Sequence, residues 1–202
     1  MSVCIPIPPQ ITTPVLEAKV VQDLQNLFSP ISWLENAYAL TRIGIEKTEK
    51  VSEFKYPQIY SGDSTKKSEY YDLRPNDKLK SYCFFEIDAP YEYDQTQELA
   101  TYFLSVVFWF NLAKISGRNY DYSSELVAHV LKILKASDYH AKLEDIKIEK
   151  RPDEIFAKYS MDEMESQFLM YPYGAFKISF KITDEADCFI DFVPTNPNSC
   201  EQ

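Results

Sequence analysis

The segment from Leu99 to Leu112, LATYFLSVVFWFNL, runs for fourteen residues without a formal charge and is crowded with aromatic and β-branched side chains. With a period of two, Tyr102, Leu104, Val106, Phe108, Phe110 and Leu112 share one wholly apolar face. Phe103, Val107 and Trp109 share the other with Thr101, Ser105 and Asn111. A half-exposed strand alternates cleanly and a surface helix carries a polar stripe. This run does neither, so it reads as a long strand inside a sheet covered on both sides. At fourteen residues, with Ser105 and Asn111 inside it, the run is shorter than the roughly 20 residues a membrane-spanning helix needs.

The rest of the chain supplies elements around that strand. Thr12 or Thr13 with Pro14 forms a helix start, and Val20, Leu24, Leu27 and Phe28 recur at helical spacing until Ser29-Pro30 stops them. From Trp33 to Ile45 the later part alternates as a strand heading for a turn near Lys50. A helix through Ala37 to Ala39 is the competing reading. The runs KYPQIY and SYCFFEI read as strands on either side of a long polar loop, residues 61–80. Asp121 to Ser124 offers a cap for an amphipathic helix carrying Leu126, Val127, Val130, Leu131 and Leu134. Leu143 to Glu149 alternates as a strand, and Pro152 opens a short helix through Ile155 and Phe156. Phe176, Ile178, Phe180 and Ile182 then alternate with Lys177, Ser179, Lys181 and Thr183, a strand with one wet face. The order of elements gives an α+β fold: one mainly antiparallel sheet with helices packed on one side. The expected organisation is a Pro-rich extended arm over residues 1–13, a single domain over 14–190 and a tail over 191–202.

Chemistry is harder to find. A net charge of −10 argues against nonspecific nucleic-acid binding, and the Lys66-Lys67 and Lys78/Lys80 pairs read as solvated loop charge. The first residues lack the basic start and apolar core of a signal peptide, so a cytoplasmic location is expected. Cys4, Cys83, Cys188 and Cys200 are scattered without a CxxC pair and read as free thiols. His129 and His140 are the two histidines, too few for a three-His metal site; His129 reads as a helix-edge residue. Four separated glycines make no phosphate-cradling loop. The acidic neighbourhoods at 153–165 and 184–187 lack metal-site spacing, so no catalytic, cofactor or metal residues are assigned. The segment Gln167 to Ile182 gathers Phe168, Tyr171, Tyr173 and Phe176 around Pro172 and Gly174. It reads either as a core corner or as an exposed aromatic shelf where another subunit docks.

WLENAY, YPQIY with its following polar loop, the long uncharged strand, ELVAHVLKIL and the DEIFAKY…QFLMYPYGAFKISFKI ending together resemble the tail-terminator and neck (head–tail connector) ring proteins of tailed bacteriophages. They are similar in particular to those of Bacteroidota and crAss-like phages. The resemblance covers most of residues 14–188. It implies a tail-terminator-like domain that is not an enzyme and acts by assembling as a homo-oligomeric ring between portal and tail. It implies contacts with portal, adaptor and tail proteins, with DNA only passing through the channel, no cofactor and no membrane, and a place in a virion assembled in the host cytoplasm. Candidate interface residues on this reading are Phe168, Met170, Tyr171 and Tyr173, with Tyr70, Tyr71 and Leu73 from the polar loop. Residues 1–11 and 61–80 would bridge subunits and be poorly ordered in an isolated monomer. The rival expectations are a cytoplasmic enzyme with an acidic site near Asp153 to Glu165, or a phage-encoded inhibitor that binds a host protein through an acidic surface.

Overall fold

The computed structural model describes residues 16–46, 53–60, 70–75, 77–118, 120–160 and 170–185. Twelve residues of amphipathic helix, α1 (Glu17–Phe28), lead into β1 (Asn36–Glu46), β2 (Phe54–Tyr60) and β3 (Tyr70–Asp72). Next come the long hairpin strands β4 (Ser81–Asp94) and β5 (Leu99–Asn111). The helices α2 (Leu112–Ile115) and α3 (Ser123–Ala136), strand β6 (Leu143–Glu149), the single turn α4 (Pro152–Ile155) and β7 (Tyr173–Glu185) complete the chain order. The strands form one seven-stranded sheet in the order β3-β2-β1-β4-β5-β7-β6, antiparallel throughout except where β1 runs parallel to β4. This is an open, mixed, mostly antiparallel α+β fold. Among the described residues, no helix is long and apolar enough to cross a membrane.

The even face of β5 is the helix-covered face. Phe108 stacks on Phe176 of β7 at 4.8 Å and meets Phe28 of α1 edge-on at 5.5 Å. Val20, Val21, Leu24 and Phe28 of α1 join Val127, Val130 and Leu134 of α3 over this face. Burying each such side chain is worth about 1.5–3 kcal/mol. Ser29 ends α1 by donating its amide to the Gln25 carbonyl at 2.9 Å, immediately before Pro30. The expected start of this helix falls on Thr12 to Pro14, outside the described residues. Asn111 ends β5 one residue before the sequence pattern does, because its side chain accepts the Ala113 amide and caps α2.

The strand reading of the stretch after Trp33 holds and the competing helix falls: Ala37 to Ala39 lie in β1, since Tyr38 and Ala37 must face opposite sides of a sheet buried on both. Other expectations change. The polar loop 61–80 contains β3, which pairs with β2, and Leu73 and Leu79 are buried in the core of the second face. That half of the loop is therefore ordered; residues 61–69, 1–11 and the turn near Lys50 lie outside the described residues. The tail from Asp191 does too. The two long helices share one face as expected, but α4 packs Ile155 and Phe156 against Val107 and Trp109 on the opposite face. That opposite face is covered only over half its length. Phe103 near the hairpin end lies half-buried, with the Lys181 ammonium over its ring at 5.8 Å.

Candidate functional site

Strand β1 follows β4 only as far as the Leu40–Phe85 pair; beyond it β1 continues with β2, and β4 continues with β5. The sheet therefore forks, and a fork strands backbone groups and admits water unless something fills it. The segment after α4 fills it. Ser160 donates its amide to the Lys55 carbonyl at 2.8 Å and accepts the Lys55 amide on its hydroxyl at 3.0 Å, gripping β2. Lys158 donates its ammonium to the Ile87 carbonyl at 2.9 Å, and Thr41 of β1 donates its hydroxyl to the Phe85 carbonyl at 3.0 Å.

At the crotch sits a charge-balanced cluster. Glu86 accepts the Tyr159 hydroxyl at 2.6 Å and the Lys177 ammonium at 3.0 Å. Asp88 accepts Lys158 at 2.8 Å, Lys177 at 3.2 Å and the Ser105 hydroxyl, which also meets the Ser179 hydroxyl at 2.9 Å. The Glu86 side chain is 3% exposed and that of Lys177 11%. Burial pulls the Lys177 ammonium down, but the charges of Glu86 and Asp88 and the bonds to them outweigh it and leave it above the ordinary lysine value. For Asp88, burial raises the carboxyl, and the bonds from Lys158 and Ser105 with the nearby ammonium charges outweigh it, holding it below the ordinary range. Burial and the Glu86 carboxylate both push the Tyr159 hydroxyl up, so it stays a neutral donor.

Two carboxylates, two ammonium groups and three hydroxyls so arranged satisfy one another. Ser105 is fully buried and its hydroxyl is taken up by the Asp88 carboxylate and the Ser179 hydroxyl. A small, mainly apolar cavity of about 30 Å³ lies beside Tyr159, walled by Phe54, Pro57, Leu73 and Phe156. The cluster is a clasp that joins β2, β4 and β7. The wet face read for the last strand is thus corrected at Lys177, whose ammonium faces a buried counter-charge and not solvent.

The aromatic corner divides. Phe176 is core, Tyr173 is half-buried with its ring stacked on Trp109 at 5.7 Å, and Met170 and Tyr171 are 65% and 55% exposed. The peptide before Pro172 is cis. Gly174 lets the Phe110 ring lie against the backbone, since a Cβ there would stand 2.7 Å from it. Tyr171, Tyr173, Gly174, Val127 and Lys150 border a groove of about 280 Å³. Phe168 lies outside the described residues. Tyr70 and Tyr71 sit on β3, at the opposite edge of the sheet, where Arg42 lies over the Tyr70 ring at 3.2 Å. Leu73, fully buried, belongs to the core and presents no surface. The candidate interface residues therefore do not converge; they fall at two ends of one sheet.

His129 takes the helix-edge role expected of it, accepting the Trp33 indole N–H on Nδ1 at 3.0 Å. Cys83 is a buried free thiol, its deprotonation opposed by burial. Among the described residues, no group of three His, Cys, Asp or Glu side chains is placed to hold a metal ion. The residues missed from sequence are Glu86, Asp88, Lys158, Tyr159 and Lys177. Their only local signal was polar interruption of apolar runs, Glu86 and Asp88 after SYCFF and Ser105 within LATYFLSVVFWFN. No family model, curated protein or solved structure matches this chain.

Proposed function

We propose that this chain is a structural subunit of a tailed-phage virion, a tail-terminator or head–tail connector ring subunit that acts by assembly and not by catalysis. The observation that carries the reading is that two groups of exposed apolar side chains lie at unlike ends of one sheet. Ile43, Ile45 and Tyr60 are exposed in the β1–β2 lobe, and Met170 and Tyr171 are exposed beside β7. A heterologous ring needs each copy to offer two different, complementary surfaces on opposite sides, and one continuous sheet holds these two apart. The internally neutralised clasp supports the same reading, because its charged groups are spent on each other. A net charge of −10 suits a channel through which DNA passes without adhering.

Light scattering on the purified protein, with negative-stain imaging, tests this reading. Rings are expected, and Ile45→Asp and Tyr171→Asp should each abolish them while leaving a folded subunit. Mixing the two variants should restore pairs but not rings, since each retains one intact surface. A protein absent from purified virions, monomeric at high concentration and active as a hydrolase would overturn the proposal. Capture of one host protein by a chain that is absent from virions would favour the inhibitor instead.

A further inference from the structure

A third exposed apolar strip lies apart from both proposed ring surfaces. Beyond the fork, β4 has lost β1 as a neighbour, and Ile87, Tyr91 and Tyr93 there are 46%, 44% and 46% exposed. All three are on the helix-covered face: Ile87 pairs with Leu104 and Tyr93 with Ala100, both buried core residues, and the Tyr91 ring lies 6.0 Å from that of Tyr102. Three large side chains in a row at a sheet margin make a contiguous patch that a folded chain ordinarily covers.

The start of α1 lies at the same end of the sheet as that strip, on the β7–β6 side of it. Phe28, at the helix end, packs on Phe85 and Phe108 in the middle of the sheet. Asp23, more than a turn earlier, accepts the Tyr139 hydroxyl. Tyr139 lies shortly before β6, whose first residue Leu143 is in register with Ile182 and through it with Tyr102 near the hairpin end. The helix thus runs from the hairpin end inward, and residues 1–15 join it at the hairpin end. Those residues are chemically unlike the rest of the chain: the first formal side-chain charge is at Glu17, in a protein that is 26% charged. They carry Val3, Ile5, Ile7 and Ile11, with prolines at 6, 8, 9 and 14.

We infer that residues 1–15 of the same chain dock across Ile87, Tyr91 and Tyr93 as an extended polyproline-like strap. Prolines on both sides favour ring packing over strand addition. The strap has four residues that donate no amide, and β4 itself has Pro90 within the strip, so a hydrogen-bonded ladder would be interrupted from each side. Proline rings on tyrosine faces need no ladder and bring a pre-extended, low-entropy backbone. Length suffices: fifteen residues at ~3.1 Å each reach about 45 Å, and Ile87 to Tyr93 spans about 20 Å. Tethering at α1 commits the strap to its own chain, because a short linker supplies an effective concentration near millimolar, above that of any neighbouring copy in dilute solution.

Tyrosine acetylation with N-acetylimidazole, read residue by residue by mass spectrometry, tests this at a dilution where light scattering shows monomers. Tyr120 and Tyr171, 53% and 55% exposed and away from the hairpin, serve as internal references. In the full chain Tyr91 and Tyr93 should react about tenfold more slowly than these references, and deletion of residues 2–15 should bring them level. Ile5→Asp with Ile7→Asp in the full chain should do the same, which keeps the test decisive if the deletion misfolds. Equal reactivity in the full chain, protection that survives both variants, or protection that grows with protein concentration would each overturn the inference. None of these outcomes depends on whether rings form.

Discussion

The sheet is buried on both faces over its middle, yet the two faces are closed by opposite chemistry. Under α1 and α3, the even residues of β5 lie in an apolar layer without charge: Phe28, Phe85, Phe108 and Phe176 form one aromatic cluster with Val130 and Leu134 around it. Behind it, the odd residues pass within a few ångströms from Val107 and Trp109, which are equally apolar, to Ser105, which ends on Asp88. The first face needs only a hydrophobic lid, which tolerates sliding. The second is keyed, because Glu86 and Lys177 are costly to bury unless each finds the other. What the pairing teaches is a division of labour. The carbon face supplies the bulk of the stability, and the ionic face fixes where the fork between β1 and β4 is locked.

The largest expected effect lies on the carbon face. Phe108→Asp should leave no folded protein by circular dichroism, since an unpaired carboxylate would sit among the rings of Phe28, Trp33 and Phe176. A soluble, folded variant would show that this face is not sealed. Next, Glu86→Ala should cost about 3–5 kcal/mol in denaturant unfolding, because Lys177 would keep its charge with half its partners gone. The triple change Glu86→Leu, Lys177→Met and Tyr159→Phe should come back to within about 1 kcal/mol of the parent, since it removes Glu86 with both groups that donate to it and leaves Lys158 paired with Asp88. If the triple variant is as unstable as Glu86→Ala, the clasp contributes net energy and not only specificity.

A smaller effect separates the faces by pH. The Asp88 carboxyl is held below the ordinary range, so its contribution is fully present above about pH 4, the unfolded-chain value, and is lost as pH falls through the lower folded value. Asp88→Asn should therefore destabilise by about 1–2 kcal/mol at neutral pH, and the gap to the parent should shrink on acidification below about pH 4. A gap independent of pH would mean that Asp88 acts by packing alone. The smallest effect is a gain. The Tyr82 hydroxyl is fully buried and has no hydrogen-bond partner among the described residues, so Tyr82→Phe should raise stability by up to about 1 kcal/mol in the same unfolding assay.

Periodicity alone determined much of this molecule. The uncharged run at 99–112 required a doubly buried strand, the Leu126 to Leu134 stripe required a helix, and the Phe176 to Ile182 alternation required a strand with one face in the core. Each of those statements depends on local spacing, and spacing survives without knowledge of neighbours. Tertiary structure alone decided the rest. Whether Ala37 to Ala39 extends or coils depended on finding β4 alongside in parallel, and whether Lys177 is wet depended on Glu86, ninety-one residues earlier in the chain. The aromatic corner was split between core and surface by packing, with Phe176 stacked on Phe108 and Phe110 lying against Gly174 while Met170 and Tyr171 stay exposed. Charges in particular are unreadable from their own neighbourhood, because the free energy of burying one is set by the partner that folding delivers to it.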